Sequence, residues 1–175
     1  HKTRRFVFVD LGILANPKNL ERLCDLLIAE NRDFDLFAEA CAEKATKQIL
    51  EKMSKAGFRR LQVGFETFSN PLLRKMQKDS KAIDNIKVLK WGKELGTKIT
   101  GNIIVGFPGE TVEDLKKSLQ VMRTCNHLIQ YVTTADFNLN YGSVVYASPK
   151  EYGVTVNLGA KLSNFSRDEI ARLMF

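Results

Sequence analysis

Histidine is nearly absent from this 175-residue chain, which carries only His1 at its start and His127 near the end of a helical pattern. A Ser-His-Asp triad or a histidine metal site needs imidazoles among its core members, so neither is expected here. His127 reads as a surface residue. Cysteine is scarce too: Cys24, Cys41 and Cys125 stand 17 and 84 residues apart. That spacing matches neither a C-x-x-C metal pattern nor a paired disulfide framework, and fits buried thiols in a reducing compartment. No apolar run approaches the roughly 20 residues that cross a bilayer, and no charged-then-apolar leader with a small-residue cleavage site opens the chain. These absences point to a cytoplasmic protein without a membrane partner.

Two ligand-binding signatures are also missing. The chain has no Gly-x-x-x-x-Gly-Lys-Ser/Thr phosphate loop, and "GFPGE" (106–110) has neither the spacing nor the lysine of one. No Gly-x-Gly-x-x-Gly follows the first strand-like run, as a dinucleotide-binding fold would require. Aromatic residues are not interleaved with basic ones as on a single-strand nucleic-acid platform. The net charge of +7 comes from lysines in "KATKQILEKMSK", "KDSKAIDNIKVLKWGK" and "DLKKSLQ", at spacings of exposed helix faces. A solvated surface explains them without a nucleic-acid partner.

What is present is a regular alternation. Extended apolar runs occur at "RFVFVD", "FDLFAEACA", "FRRLQVGFET", "KITGNIIVGF" and "QYVTTADFNLN", starting roughly 25 to 40 residues apart, the length of a βα unit. Between them lie helical stripes. Leu20, Leu23, Cys24, Leu27 and Ile28 follow an N-cap at Asn16 and a proline at the first helical position, Pro17. Ile49, Met53 and Ala56 are closed by Gly57, and Ile83, Ile86 and Leu89 by Gly96. Leu115, Leu119 and Met122 are opened by a capping box, Thr111 with Asp114. Strand and helix in succession predict an α/β fold with a parallel sheet, either a barrel or an open doubly wound sheet. Polar residues at or near successive strand ends favour a barrel, whose sites are assembled there. Five units are too few to close eight strands, so a partial barrel, or a piece of a longer protein, is expected. The last stretch, "SRDEIARLMF", starts a helix with Ser166 and Glu169 and stops after about two turns.

Charged and amide side chains inside apolar strands mark the candidate site, because burying them without a partner is costly. Asp10 ends "FVFVD", Glu39 lies inside "FDLFAEACA", Glu66 ends "LQVGFET" and Asn102 lies inside "ITGNIIVGF". Taken alone, each reads also as an internal salt bridge or a capped turn; the set of four favours a ligand site, because on a barrel they would converge near one mouth. Glu39 and Glu66 would also suffice as an acid and base pair in a metal-independent barrel enzyme.

Over "GFRRLQVGFETFSNPLLRKMQKDSKAIDNIKVLKWGKELGTKITGNIIVGFPGETVEDL", residues 57–115, the chain resembles the core of a radical S-adenosylmethionine (SAM) enzyme. Order, spacing and residue types agree, with weaker agreement over residues 6–56 and in "NLNYGSVVYASPKEYGV". The resemblance implies a partial (β/α)6 TIM-like barrel of which strands 2–6 are present. Residues 1–153 would form the barrel part and 154–175 the truncated start of an extension. In such barrels the strand ends hold SAM against a [4Fe-4S] cluster, which cleaves it reductively to methionine and a 5′-deoxyadenosyl radical. By the same resemblance Glu39 and Glu66 match positions that contact the methionine or ribose of SAM, and Lys78 one near its carboxylate. Asn102 matches a position near the ribose, Ile104 and Gly106 a segment against the adenine, and Asp10 a position near the amino group, in a looser match. Pro108 and Gly109 then shape a turn, with Glu110 and Thr111 starting a helix.

The cluster motif C-x-x-x-C-x-x-C is not in the chain. The expectation is a fragment of a radical SAM enzyme that supplies SAM-binding strand ends and is inactive by itself. Its parent would modify a small-molecule or peptide substrate. "LQVGFETFSNPLLRKM" and "YGSVVYASPKEYGV" look most like cobalamin-dependent C-methyltransferases of ribosomal peptides, with the coproporphyrinogen-oxidase-like and methylthiotransferase-like branches as competitors. A degenerate barrel serving as a binding or scaffold module is the alternative. An unpaired first strand would invite dimerisation along "FVFVD".

Overall fold

A computed structural model of the chain describes residues 3–10 and 12–156. Five strands form one sheet: β1 (Arg5–Val7), β2 (Asp35–Ala40), β3 (Phe58–Glu66), β4 (Lys98–Val105) and β5 (Tyr131–Asp136). Helices α1 (Pro17–Ala29), α2 (Lys47–Lys55), α4 (Ala82–Leu95) and α5 (Val112–Thr124) connect successive strands, and a short α3 (Asn70–Lys75) precedes α4. The strand order is β1-β2-β3-β4-β5, with β1, β2, β3 and β4 paired in parallel. A doubly wound sheet reverses its order at a switch point, whereas a barrel wall runs in sequence. The observed order therefore belongs to a partial βα barrel.

The chain divides into two compact units, His1–Val105 with Glu110–Ala135, and Gly106–Gly109 with Asp136–Phe175. Within the second, α6 (Val144–Ala147) is capped by Ser143, whose hydroxyl accepts from the Tyr146 N–H at 3.2 Å. There Phe107 meets Phe137 and Tyr152 edge-on, with ring centroids 5.2 and 5.9 Å apart. The helix expected from Ser166 and Glu169, and the extension beyond residue 156, lie outside the described residues.

Local chemistry explains where the helices start. Asn16 accepts from the Asn19 N–H and Pro17 opens α1. Thr111 and Asp114 form the reciprocal capping box of α5, satisfying donors that a helix start leaves orphaned. Gly96 ends α4 in the left-handed region, φ 69°.

The core lies between sheet and helices. Leu36, Ala38 and Ala40 of β2, Leu61, Val63 and Phe65 of β3, and Ile99 and Ile103 of β4 turn to it and are buried. Because a strand alternates faces, the residues between them line the opposite, inner surface: Phe37 and Glu39, then Gln62, Gly64 and Glu66, then Thr100, Asn102 and Ile104.

Some expectations are corrected. The strands are shorter than their apolar runs, and β1 stops at Val7, so Asp10 does not end a strand but lies exposed three residues beyond it. β1 is an edge strand, paired to β2 alone, and all three of its residues are exposed. Ile83 and Leu119 are about half exposed, at 51% and 50%. The faces that α4 and α5 bury include Asn85, Gly92, Asp114 and Ser118 instead. His127 is exposed just past α5. All three cysteines are free; Cys24 is buried, and burial pushes its thiol up to about 11, Lys52 opposing and Asp25 and Glu21 assisting. Among the described residues no helix is long and apolar enough to cross a membrane.

Candidate functional site

At the carboxyl ends of β2, β3 and β4, on the inner surface, Glu39, Ala40, Cys41, Gln62, Gly64, Glu66, Lys78 and Asn102 line an open cavity of about 150 Å³. Register accounts for the convergence, since Glu39 pairs with Gln62 and Gly64 with Asn102. The structure thus brings together four of the seven residues picked from the sequence: Glu39, Glu66, Lys78 and Asn102. Ile104 follows on the same face of β4, half-buried. Asp10 does not join them; it lines a separate pocket with Phe8, Gly12, Ile13 and Asn16. Gly106 belongs to the second unit, where its φ is +81°.

Lys78 reaches the cavity from outside the sheet, and the end of α3 explains how. Past Met76 the chain turns at Gln77, φ 56°. The Gln77 N–H donates to Arg74 C=O and the Lys78 N–H to Leu73 C=O, both at 3.0 Å. This double bond pattern is a Schellman stop. It leaves Lys78 as the first residue after the turn, its ammonium 2.9 Å from Glu66 Oε1, with side chains 29% and 14% exposed. Burial alone would lower the Lys78 pKa, but the Glu66 pairing and the neighbouring Cys41 and Glu43 outweigh it and hold the pKa above the usual 10.5. Lys78 is therefore charged at neutral pH. Cys41 is shifted the other way for a nucleophile: burial and then Glu43 raise its pKa, so it rests as a thiol.

Glu66 has an unusual backbone. Its φ is +59°, and the Thr67 N–H donates back to Phe65 C=O at 2.7 Å. A three-residue turn with positive φ at its centre is the rarer, strained form of γ-turn. Holding a non-glycine residue so costs about 1–3 kcal/mol and persists only where the surroundings over-determine it. The register between β3 and β4 shifts at the same place, between Gly64 and Glu66, so the bulge re-aims the carboxylate.

Gly64 makes the room. A Cβ there would lie 2.5 Å from Glu66 Oε1 and 3.5 Å from Lys78 Nζ. Because a flexible carboxylate can yield, Gly64→Ala is expected to cost less than about 1 kcal/mol in stability. It should nevertheless displace the Glu66 head and weaken ligand binding about tenfold; titration and thermal melts on the same variant separate the two effects.

Asn102 is oriented from β5. The Thr133 hydroxyl donates to Asn102 Oδ1 at 2.5 Å, which leaves the amide Nδ2 as the atom for a ligand acceptor. Two carboxylates and one ammonium leave the cavity with one net negative charge. It offers an ammonium to an anion and carboxylates to a cation, so it suits a zwitterionic head with a further positive charge nearby. Sequence reasoning missed Gln62, Gly64 and Cys41 as lining residues. Gln62 was legible in principle, being the polar residue between Leu61 and Val63 in an alternating strand.

The described residues contain no group of three or more His, Cys, Asp or Glu that could hold a metal ion. An iron–sulfur cluster needs several thiolates together, so the described residues do not fit one.

The sequence matches the Radical SAM superfamily over residues 2–122. It is 25% identical over 148 residues to the heme chaperone HemW of Bacillus subtilis, covering 78% of this chain and 39% of that protein. Among solved structures it superposes on the radical SAM methyltransferase TsrM of Kitasatospora setae with a TM-score of 0.65 and 15% identity, over 76% of this chain and 26% of that one. Coproporphyrinogen III oxidase (HemN) of Escherichia coli gives 0.63 and 18%, over 91% and 35%. The chain thus spans well under half the length of each of these relatives.

Proposed function

Because the chain belongs to the radical SAM superfamily, matched over residues 2–122, we propose that its cavity at the ends of β2, β3 and β4 binds the amino-acid head of S-adenosylmethionine. The observation that carries this reading is the half-buried Lys78–Glu66 pair facing Glu39 in a cavity of about 150 Å³. A water occupies about 30 Å³ of liquid, so the space has room for a small polar head. In this reading Lys78 takes the carboxylate of SAM and Glu39 its amino group. Glu66 and Asn102 take ribose hydroxyls, and the adenine lies along Ile104. The sulfonium is attracted by the cavity's net negative charge.

The longer protein of which this chain is a part would be a radical SAM enzyme acting on a small molecule or a peptide, with its cluster ligands outside the described residues. The likeness to cobalamin-dependent methyltransferases is one of fold, so a cobalamin requirement is a subordinate proposal. The HemW relative favours a second reading, a SAM-binding protein whose task is to carry heme. Anaerobic reduction of the full-length protein with SAM separates the two. Formation of 5′-deoxyadenosine supports an enzyme. SAM binding without it, together with stoichiometric uptake of heme, supports a chaperone. Absence of SAM binding refutes the proposal.

A further inference from the structure

We propose that Asn85 is a positioning residue for Glu66: its side-chain amide staples the strained turn that aims the Glu66 carboxylate into the cavity. Asn85 sits on the inner face of α4 and is fully buried. Its Nδ2 donates to Phe65 C=O and to Thr67 C=O, both at 3.2 Å. These are the carbonyls on either side of Glu66, whose φ is +59°. One NH2 group thus ties both ends of the three-residue turn, adding to the Thr67 N–H bond across it. Two donors at fixed separation are what an asparagine amide supplies; aspartate has none, and serine has one.

The chain just past the turn is anchored separately. The Thr67 hydroxyl shares a 3.0 Å bond with Ser118, the Phe68 N–H donates to Ser118 Oγ at 3.1 Å, and the Ser69 hydroxyl bonds Asp114. Those contacts fix residues 67–69 to α5. Asn85 is the side chain that grips the carbonyls of residues 65 and 67 together.

Burial also argues against a role in stability alone. Asn85 Oδ1 is buried without a hydrogen-bond partner among the described residues, a state that disfavours the fold. Val88 and Leu89 fill the same helix face with apolar side chains, and Asn85 is the amide among them. The amide carries a cost in desolvation at Oδ1, and the geometry its Nδ2 imposes falls on Glu66.

This inference rests on the reading of the cavity as the SAM site, and its test has two arms. In the full-length protein, Asn85→Leu should weaken S-adenosylhomocysteine binding about tenfold or more by calorimetry. A crystal structure of the variant should show residue 66 relaxed to negative φ. Unchanged affinity with φ still positive would overturn the proposal. The second arm needs no ligand. Glu66→Gly removes the strain at φ +59°, so Asn85→Leu should alter the unfolding equilibrium constant about tenfold less in the glycine background than in the wild type. Equal effects in the two backgrounds would overturn it, also where Asn85→Leu is poorly stable. If the wild type binds no S-adenosylhomocysteine, the functional reading fails while this coupling still decides the role of Asn85.

Discussion

Replacing Gly101 with alanine is expected to destabilise the protein by about 2 kcal/mol or more, the upper part of the range for overpacked cores. For a chain of this size that lowers Tm by roughly 4–8 °C. Gly101 is buried in β4, opposite Val63 of β3. A Cβ there would lie 2.4 and 2.5 Å from Cδ2 and Cε2 of Phe65. Unlike the carboxylate that would yield at Gly64, this neighbour is a rigid ring in the core. Phe65 is fully buried and packed on Phe68 with ring centroids 5.7 Å apart. It has no free volume to enter, and close-packed interiors transmit such strain. The Phe65 carbonyl is also the acceptor of the turn at Glu66. Gly101→Ala should therefore weaken ligand binding as well, and a melt with a paired titration reads both. A melt unchanged within about 1 °C would mean that the ring is not held where the structure places it.

The second large effect is expected at Lys78. Lys78→Met keeps most of the buried stem and removes the ammonium. Glu66, whose side chain is 14% exposed, then loses its partner and faces Glu39 across the cavity. A charge-assisted hydrogen bond contributes about 1.5–3 kcal/mol, so affinity for S-adenosylhomocysteine should fall about 10- to 100-fold. The pH dependence follows from the raised Lys78 pKa. The pair's contribution is complete below the ordinary lysine value of 10.5 and is lost only as pH rises through the raised value. Wild-type affinity should thus show no inflection from Lys78 between about pH 6 and 9. An inflection in that window that vanishes in Lys78→Met would contradict the pairing.

Much of this architecture was legible because it rests on local chemistry. Asn16 before Pro17, and Thr111 three residues before Asp114, are capping signals that act within one turn. The alternation in "LFAEA" and "LQVGFE" places Glu39 and Glu66 on the face away from the core without knowledge of the fold. What escaped depended on tertiary partners. Ile83 and Leu119 fit a helical stripe by hydropathy but are exposed, because α4 and α5 turn Asn85, Gly92, Asp114 and Ser118 inward. Gly92 is needed there since a Cβ would lie 2.3 Å from Ile99 Cγ1. Hydropathy does not mark small or polar residues as core. Lys78 was placed by resemblance alone: it reaches Glu66 through a helix stop twelve residues downstream, which no strand pattern encodes. Asp10 was misread because the apolar run "FVFVD" continues past the point at which β1 leaves its single partner.

The central claim is that the Lys78–Glu66 pair marks the SAM site, with Lys78 at the carboxylate of its amino-acid head. Calorimetric titration of S-adenosylhomocysteine into the full-length wild-type protein and its Lys78→Met variant tests it most directly. The account predicts saturable binding at one site per chain in the wild type and at least about tenfold weaker binding in the variant. Equal affinity in the two proteins, or no binding to the wild type, would contradict it.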